Sequence, residues 1–166
     1  MAVSGKGVLH NAYGVPGPKM GNLYSRITDN SKPDSYHYQD GIIPDAIFYF
    51  IGANDYSHPL GPEPSRFIEA YKEMLQSSLH TLKMKEAEAK PLLICVGING
   101  EKKMSPVIQR AVKEFKYAYK WIYYVEAPSS AFSKDNLGCI GHPNVKGQHL
   151  IADSLYEQVK SIFEAN

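Results

Sequence analysis

The sequence predicts an α/β fold, a three-layer sandwich in which a mostly parallel, flavodoxin-like sheet is covered by helices on both faces. Short, uninterrupted apolar runs alternate along the chain with longer segments whose apolar residues recur at helical spacing. Uninterrupted runs are typical of strands buried on both faces, and their alternation with helices favours parallel pairing. The length of 166 residues suits one domain. We therefore predict a single domain over residues 1–166.

The elements of the first half are bounded by proline and glycine. A strand is predicted at Ala46–Ile51, between Pro44 and Gly52, and we expect both of its faces to be buried. A helix is predicted from Ser65 to about Ala87, and Pro91 lies beyond its end. Its buried stripe is expected to contain Phe67, Ile68, Tyr71, Met74, Leu75, Ser78, Leu79 and Leu82.

The second half continues the alternation. Strands are predicted at Leu92–Val96 and Trp121–Val125, separated by a helix for which Ser105-Pro106 supplies a cap and a first-turn proline. A last helix is predicted to start near Asn144. The inward positions of these two helices are Ile108, Ala111, Val112 and Phe115 in the first, and Val145, Ile151, Leu155, Val159 and Ile162 in the second.

The N-terminal quarter lacks the regular alternation of strands and helices. A strand-like Ala2–Ser4 opens the chain, and residues 10–44 read as a long irregular region with one helical turn near residues 22–27. The first residues lack a basic segment followed by an apolar one, so we expect no secretory signal there. The cellular compartment stays open.

Composition excludes several classes of partner. Lys and Arg number 18 against 17 Asp and Glu, so we expect no nucleic-acid partner held by a basic surface. No apolar stretch approaches the roughly 18 residues that span a bilayer, so no membrane partner is expected. Cys95 and Cys139 are too few for a disulfide scaffold and are not clustered as in a zinc site. No metal and no cofactor are predicted.

Three polar segments are predicted at the carboxyl ends of strands, where open parallel sheets form their sites. They are Ser4–Gly7, Gly52–Asp55 and Gly141–Asn144. Each also has a purely structural interpretation. Gly-x-Asn-Asp is often only a turn, a histidine before Pro-Asn can be a loop residue followed by the N-cap Asn144, and the glycines around Lys6 can form a bend. Lys6 lacks the spacing of a P-loop lysine.

In this order, the three segments resemble sequence blocks of the SGNH (GDSL-type) hydrolases, and most of all carbohydrate esterase family 2. The resemblance covers nearly the whole chain. Besides the three blocks, it includes Val3–Tyr24, Pro44–Tyr56, Phe67-x-x-x-Tyr71 and Gly138–Pro143.

The resemblance implies ester hydrolysis by Ser–His chemistry, with acetylated carbohydrate as substrate. By position in the blocks, His142 is the general base, which takes the proton of the serine and returns it to the leaving alcohol. Two donors of the oxyanion hole are the Gly5 backbone N–H and the Asn54 side-chain amide. The third is the N–H of the nucleophile.

The acid of the family pattern is missing. It stands three residues before the histidine, and here that position is Cys139. The family includes Ser–His dyads in which a backbone carbonyl orients the imidazole, so activity does not require the acid. Asp135 is an alternative orienting group. Asp55 is expected to fix the turn rather than to contact His142.

The nucleophile block, Gly-Asp-Ser, is also missing, and we expect it upstream of Met1. Ser4 is a weaker alternative, whereas Ser57, Ser129 and Ser130 are interpreted as loop residues. The expected gap is one strand and one helix, a unit of about 30 residues, and it removes a central strand. The domain is then N-terminally incomplete, or another segment, an oligomer or a second chain completes the sheet.

Two other functional classes stay open. A catalytically inactive carbohydrate-binding or interaction module fits a chain without the nucleophile, whereas an unrelated flavodoxin-like module needs a phosphate cradle that the sequence lacks. Loop aromatics can stack on sugars or simply pack. The tyrosines concerned are Tyr13, Tyr24, Tyr36, Tyr38 and Tyr56. His58 is interpreted as a solvated residue, with substrate contact as the alternative, and His149 as a surface or helix-packing residue. His10, His37 and His80 show no metal-ligand spacing with any carboxylate.

Overall fold

A computed structural model describes residues 7–10, 44–57, 60–81 and 91–165. Within these ranges the sheet has three parallel strands, β1 (Ala46–Tyr49), β2 (Leu92–Ile98) and β3 (Ile122–Ala127), in the order β1-β2-β3. The middle strand is buried along almost its whole length, as its uninterrupted apolar sequence predicts. The predicted opening strand and the irregular region with its helical turn lie outside the described residues.

Four helices in the described ranges alternate with these strands and confirm the predicted order. They are α1 (Ala53–Tyr56), α2 (Pro64–Thr81), α3 (Met104–Phe115) and α4 (Val145–Glu164). Three short 3-10 turns lie between β3 and α4, at Ser129–Phe132, Lys134–Asn136 and Cys139–Gly141. None of the described helices is long and apolar enough to cross a membrane.

The helices cover both faces of the sheet, so the α/β three-layer architecture is confirmed for the described part. On one face, α2 and α3 pack on the strands around the fully buried Phe67, Tyr71 and Ile108. On the other face, α4 packs through Val159 against Ile94 and Val125. The helical stripes read from the sequence therefore point inward, apart from Val145, which is exposed, and Leu82, which is outside the described residues.

Two burial predictions are wrong. Phe48 is 51% exposed and Phe50 is 44% exposed, so β1 is covered on one face only. Tyr49 and Ile51 alternate with them and point into the α2–α3 face. Val145 is 75% exposed because it lies in the first turn of α4, beyond the part of the helix that packs on the sheet.

The predicted cap of α3 is also wrong. Ser105 lies inside the first turn, where its hydroxyl donates to the carbonyl of Ile98 and accepts the N–H of that residue. Glu101 caps the helix instead, because its carboxylate accepts the N–H groups of Lys103, Met104 and Ser105, each at 2.7 Å. Ser105 thereby joins the start of α3 to the end of β2.

Candidate active site

The predicted oxyanion residue Asn54 lies in a four-residue helix directly after β1. Gly52 opens that helix with φ of 125°, a backbone conformation that favours glycine. A Cβ at this position would also lie 3.0 Å from the Met104 Sδ. The turn is closed by a hydrogen bond from the Tyr56 N–H to the Gly52 carbonyl at 3.1 Å. Asn54 is half-buried at the carboxyl edge of the sheet.

The neighbouring Asp55 has a structural partner that the sequence did not reveal. Its buried carboxylate accepts the backbone N–H groups of Val8, Leu9 and His10, at 2.8, 2.6 and 2.7 Å. It therefore fixes a segment 45 or more residues earlier in the chain rather than only its own turn.

The predicted base His142 ends a tight loop after the last 3-10 turn. The loop is closed by a hydrogen bond from the Gly138 N–H to the His142 carbonyl at 2.7 Å. Two consecutive left-handed residues, Ile140 (φ 56°) and Gly141 (φ 74°), produce the turn. The His142 side chain is exposed, so a substrate can reach its imidazole.

Asn144 holds this loop against α4. Its Oδ1 accepts the Gly147 N–H at 3.0 Å, which makes it the N-cap of the helix. Its Nδ2 donates to the carbonyls of Asp135 and Leu137, at 3.1 and 3.3 Å. The capping role expected from the sequence is therefore present, and it positions the histidine two residues earlier.

No carboxylate orients His142 within the described residues. None of their Asp or Glu oxygens lies within 4.0 Å of its imidazole nitrogens. Asp135 is exposed and contributes only its backbone carbonyl to the loop, and Cys139 is an exposed free thiol. The structure therefore gives no support to Asp135 as a substitute acid.

A contact between two aromatic rings joins the segment after β1 to the 3-10 turns that follow β3. Phe50, at the end of β1, meets Phe132 of the first 3-10 turn with centroids 6.4 Å apart and planes at 88°. Because Asn54 follows β1 and the 3-10 turns carry the His142 loop, this contact helps to hold the two predicted site segments along one edge of the sheet.

Tyr56 is part of the packed interior rather than an open stacking surface. Its ring lies edge-on to Phe67 with centroids 5.2 Å apart, and its hydroxyl is buried. Burial, together with the nearby carboxylate of Asp55, raises the pKa of Tyr56 to about 12. The other four candidate tyrosines lie outside the described residues, as do Ser4, Gly5, Lys6, His37 and His58.

The remaining candidate serines and histidines lie in turns or on the surface. The Ser57 hydroxyl donates to the Asn54 carbonyl at 2.8 Å, and Ser129 and Ser130 belong to a 3-10 turn. His80 and His149 are exposed on helices, and His10 is exposed beside Asp55. Among the described residues, no group of three His, Cys, Asp or Glu side chains could hold a metal ion.

The described chain thus has a parallel sheet, a Gly-x-Asn-Asp turn after β1 and a histidine shortly before the last helix. The family model of the GDSL-like lipases and acylhydrolases matches residues 2–155, and the chain belongs to this family. The resemblance to SGNH hydrolases seen in the sequence is thus confirmed. No curated protein sequence matches the chain.

A solved structure shares the fold. It is a carbohydrate esterase family 2 enzyme plus carbohydrate binding domain from Corynascus thermopiles (Myceliophthora fergusii), with a TM-score of 0.78 at 18% sequence identity. The match covers 97% of this chain and 51% of that chain, so this chain spans about half the length of that protein.

Proposed function

We propose that this protein is an esterase that removes acetyl groups from carbohydrate. The observation that carries the proposal is the match to the GDSL-like acylhydrolase family, and the positions of Asn54 after β1 and of His142 before α4 support it. The fold shared with a carbohydrate esterase family 2 enzyme supports the substrate class.

The proposed reaction proceeds in two acyl-transfer steps. A serine hydroxyl attacks the ester carbonyl while His142 takes its proton, and the same proton then goes to the leaving sugar oxygen. Water attacks the acyl-serine in the second step, again with His142 as the base. The tetrahedral oxyanion is stabilised by the Asn54 amide, the Gly5 N–H and the N–H of the nucleophile.

The base acts as part of a Ser–His dyad in this proposal. Its support is that no carboxylate lies within 4.0 Å of the imidazole in the described part of the chain. The tight loop that is closed between Gly138 and His142 restricts the backbone of the histidine in place of a side-chain acid.

We propose that the nucleophile comes from a segment outside these 166 residues, which contain no Gly-Asp-Ser. The exposed rings of Phe48 and Phe50, on the face of β1 that α4 leaves open, support this. A further strand and helix, from the same gene or from a second chain, would cover this apolar surface and complete the sheet.

Hydrolysis of an aryl acetate tests the function. We expect the 166-residue chain to show little turnover, and the product read from any coding sequence upstream of Met1 to be active. In that active form, His142→Ala should lower kcat about 1000-fold or more, because the nucleophile loses its base. His149→Ala, on the exposed side of α4, is the matched control and should leave turnover unchanged. Unchanged turnover in His142→Ala would refute the assignment.

Covalent labelling locates the nucleophile. A fluorophosphonate probe followed by peptide mapping should label a serine of the added segment. Label at Ser4 would instead show that the 166-residue chain carries its own nucleophile.

A second candidate, an inactive carbohydrate-binding or interaction module, is favoured by the absent Gly-Asp-Ser alone. Calorimetric titration of the 166-residue chain with cello- and manno-oligosaccharides distinguishes the two. Binding without turnover in every form of the protein would support the module, and the absence of binding would argue against it.

A further inference from the structure

Asp55 is a buried carboxylate that three consecutive backbone amides surround. Its Oδ2 accepts the Val8 N–H, and its Oδ1 accepts the N–H groups of Leu9 and His10. The side chain is fully inaccessible to solvent. An isolated buried carboxylate is strongly unfavourable, and several charge-assisted hydrogen bonds are the arrangement that makes it tolerable. The three donors therefore hold Asp55 and the segment 7–10 together as one unit.

Gly7 shows how closely the segment approaches Asp55. A Cβ at Gly7 would lie 1.9 Å from the His10 carbonyl oxygen and 2.6 Å from the Asp55 Oδ2, so no larger residue fits without displacement. The neighbouring Val8 side chain is buried in the α2–α3 core, which anchors the segment from its other side. The N–H groups of Val8, Leu9 and His10 are already used by Asp55, so they are not available to bind a phosphate.

The carboxylate takes no direct part in proton transfer. It is buried beneath the segment that it holds, and it forms no ion pair with His142 in the described part of the chain. The imidazole that lies beside it is that of His10, with Nδ1 4.0 Å from the Asp55 Oδ1, and this histidine side chain is 53% exposed. Any effect of Asp55 on catalysis must pass through the backbone that it fixes.

We propose that Asp55 is a positioning residue for the oxyanion donor Asn54. It follows Asn54 in the same helical turn, and its carboxylate ties that turn to the backbone of residues 8–10 through three hydrogen bonds. A turn that is fixed by a second segment of the chain holds the Asn54 amide in place before substrate binds, which is the preorganisation that oxyanion stabilisation requires.

This inference rests on the proposed esterase function, and the first experiment does not. Amide hydrogen exchange measured by NMR on the wild-type chain should show protection of Val8, Leu9 and His10, although His10 is exposed at the surface. In Asp55→Asn, one acceptor oxygen becomes an amide donor, and the three amides should exchange about tenfold faster or more. Exchange within α3 should be unchanged. Rapid exchange of the three amides in the wild type would show that Asp55 does not hold this segment, and no variant is needed for that result.

Kinetics test the positioning role in the form of the protein that hydrolyses aryl acetate. Asp55→Asn should lower kcat by about 100-fold, the effect of losing one oxyanion donor, with little change in KM. Asp153→Asn, an exposed carboxylate on α4, is the matched control and should retain full kcat.

The outcomes separate the two proposals. Faster amide exchange with unchanged kcat would overturn the positioning role and leave the esterase assignment standing. A large rise in KM with unchanged kcat would likewise overturn it, because a displaced oxyanion donor acts on the transition state. A wild-type protein without turnover in any form would overturn the proposed function and with it the positioning role, whereas the exchange data would still establish the anchor.

Discussion

The side-chain amide of Gln158 forms a pair of hydrogen bonds with the backbone of Glu126. Its Oε1 accepts the Glu126 N–H at 3.0 Å, and its Nε2 donates to the Glu126 carbonyl at 2.8 Å. Among the described residues, β3 pairs with β2 alone, so these groups lie on its outer edge. The amide of α4 therefore occupies the place of a neighbouring strand, and it protects an edge that could otherwise pair with another chain.

Replacing Gln158 by Ala should destabilise the protein and promote self-association. Two backbone groups of Glu126 lose their partners beside an open cleft, and we expect a loss of about 1–2 kcal/mol in the free energy of urea unfolding. Light scattering should show association at raised concentration. Gln109→Ala, at an exposed position lining the same cleft, is the control and should change stability by less than about 0.5 kcal/mol. Equal stability of the two variants would contradict the edge-capping role.

Gly147 should not tolerate alanine, although alanine is the better helix former. A Cβ there would lie 2.6 Å from the Asn136 carbonyl oxygen and 2.7 Å from that of Ala131. Relief of these overlaps must push α4 away from the 3-10 turns that carry His142, at a cost of about 1–3 kcal/mol. Thermal unfolding of Gly147→Ala measures this cost. Lys146→Ala, at the exposed neighbouring position, should unfold like the wild type, and a Gly147→Ala protein of wild-type stability would show that the contact is looser than described.

Glu101 should make stability depend on pH. Burial raises the pKa of its carboxyl, but hydrogen bonds from the backbone N–H groups of Ser105, Lys103 and Met104 outweigh that effect and lower it. A carboxyl whose pKa is lowered in the folded state stabilises the protein above its ordinary pKa, and this contribution is lost as the pH falls through the lowered value.

We therefore expect Glu101→Gln to lose about 1 kcal/mol of unfolding free energy at pH 7, as for other helix caps. The difference from the wild type should shrink as the pH falls below about 4. Urea unfolding at several pH values measures it. Glu73→Gln, on the exposed side of α2, is the control and should show no such trend. A pH-independent difference for Glu101→Gln would mean that the carboxylate charge is not the stabilising feature.

Replacing Ile140 by glycine should increase the stability of the protein. A left-handed conformation costs a β-branched residue about 1–2 kcal/mol, and 78% exposure of the Ile140 side chain means that little packing is lost on its removal. After the entropy of the unfolded chain is subtracted, Ile140→Gly should gain about 0.5–1 kcal/mol in unfolding free energy. Ile140→Val keeps the branched side chain and should be neutral. If Ile140→Gly were less stable than the wild type, the left-handed backbone at Ile140 would not be a source of strain.

Much of the fold was predictable because it follows from local apolar patterns. The buried run at Leu92–Val96 and the stripe through Phe67, Tyr71 and Met74 are visible without any tertiary information. Burial on both faces of a strand requires an uninterrupted apolar run, and burial of one face of a helix requires apolar residues at helical spacing. The exposure of Phe48 was not predictable, because it depends on which face of β1 the helices leave open.

The sequence by itself determined the α/β class, the order of elements, the family and the Asn144 cap. The class, the order and the cap depend on residues that are near one another in the chain, and the family depends on three short motifs that can each be read locally. Only the tertiary structure decided that Asp55 binds the amides of Val8, Leu9 and His10, and that Gln158 pairs with the backbone of Glu126. Such contacts join polar groups tens of residues apart, and a hydrogen bond leaves no periodic pattern from which its partner could be inferred.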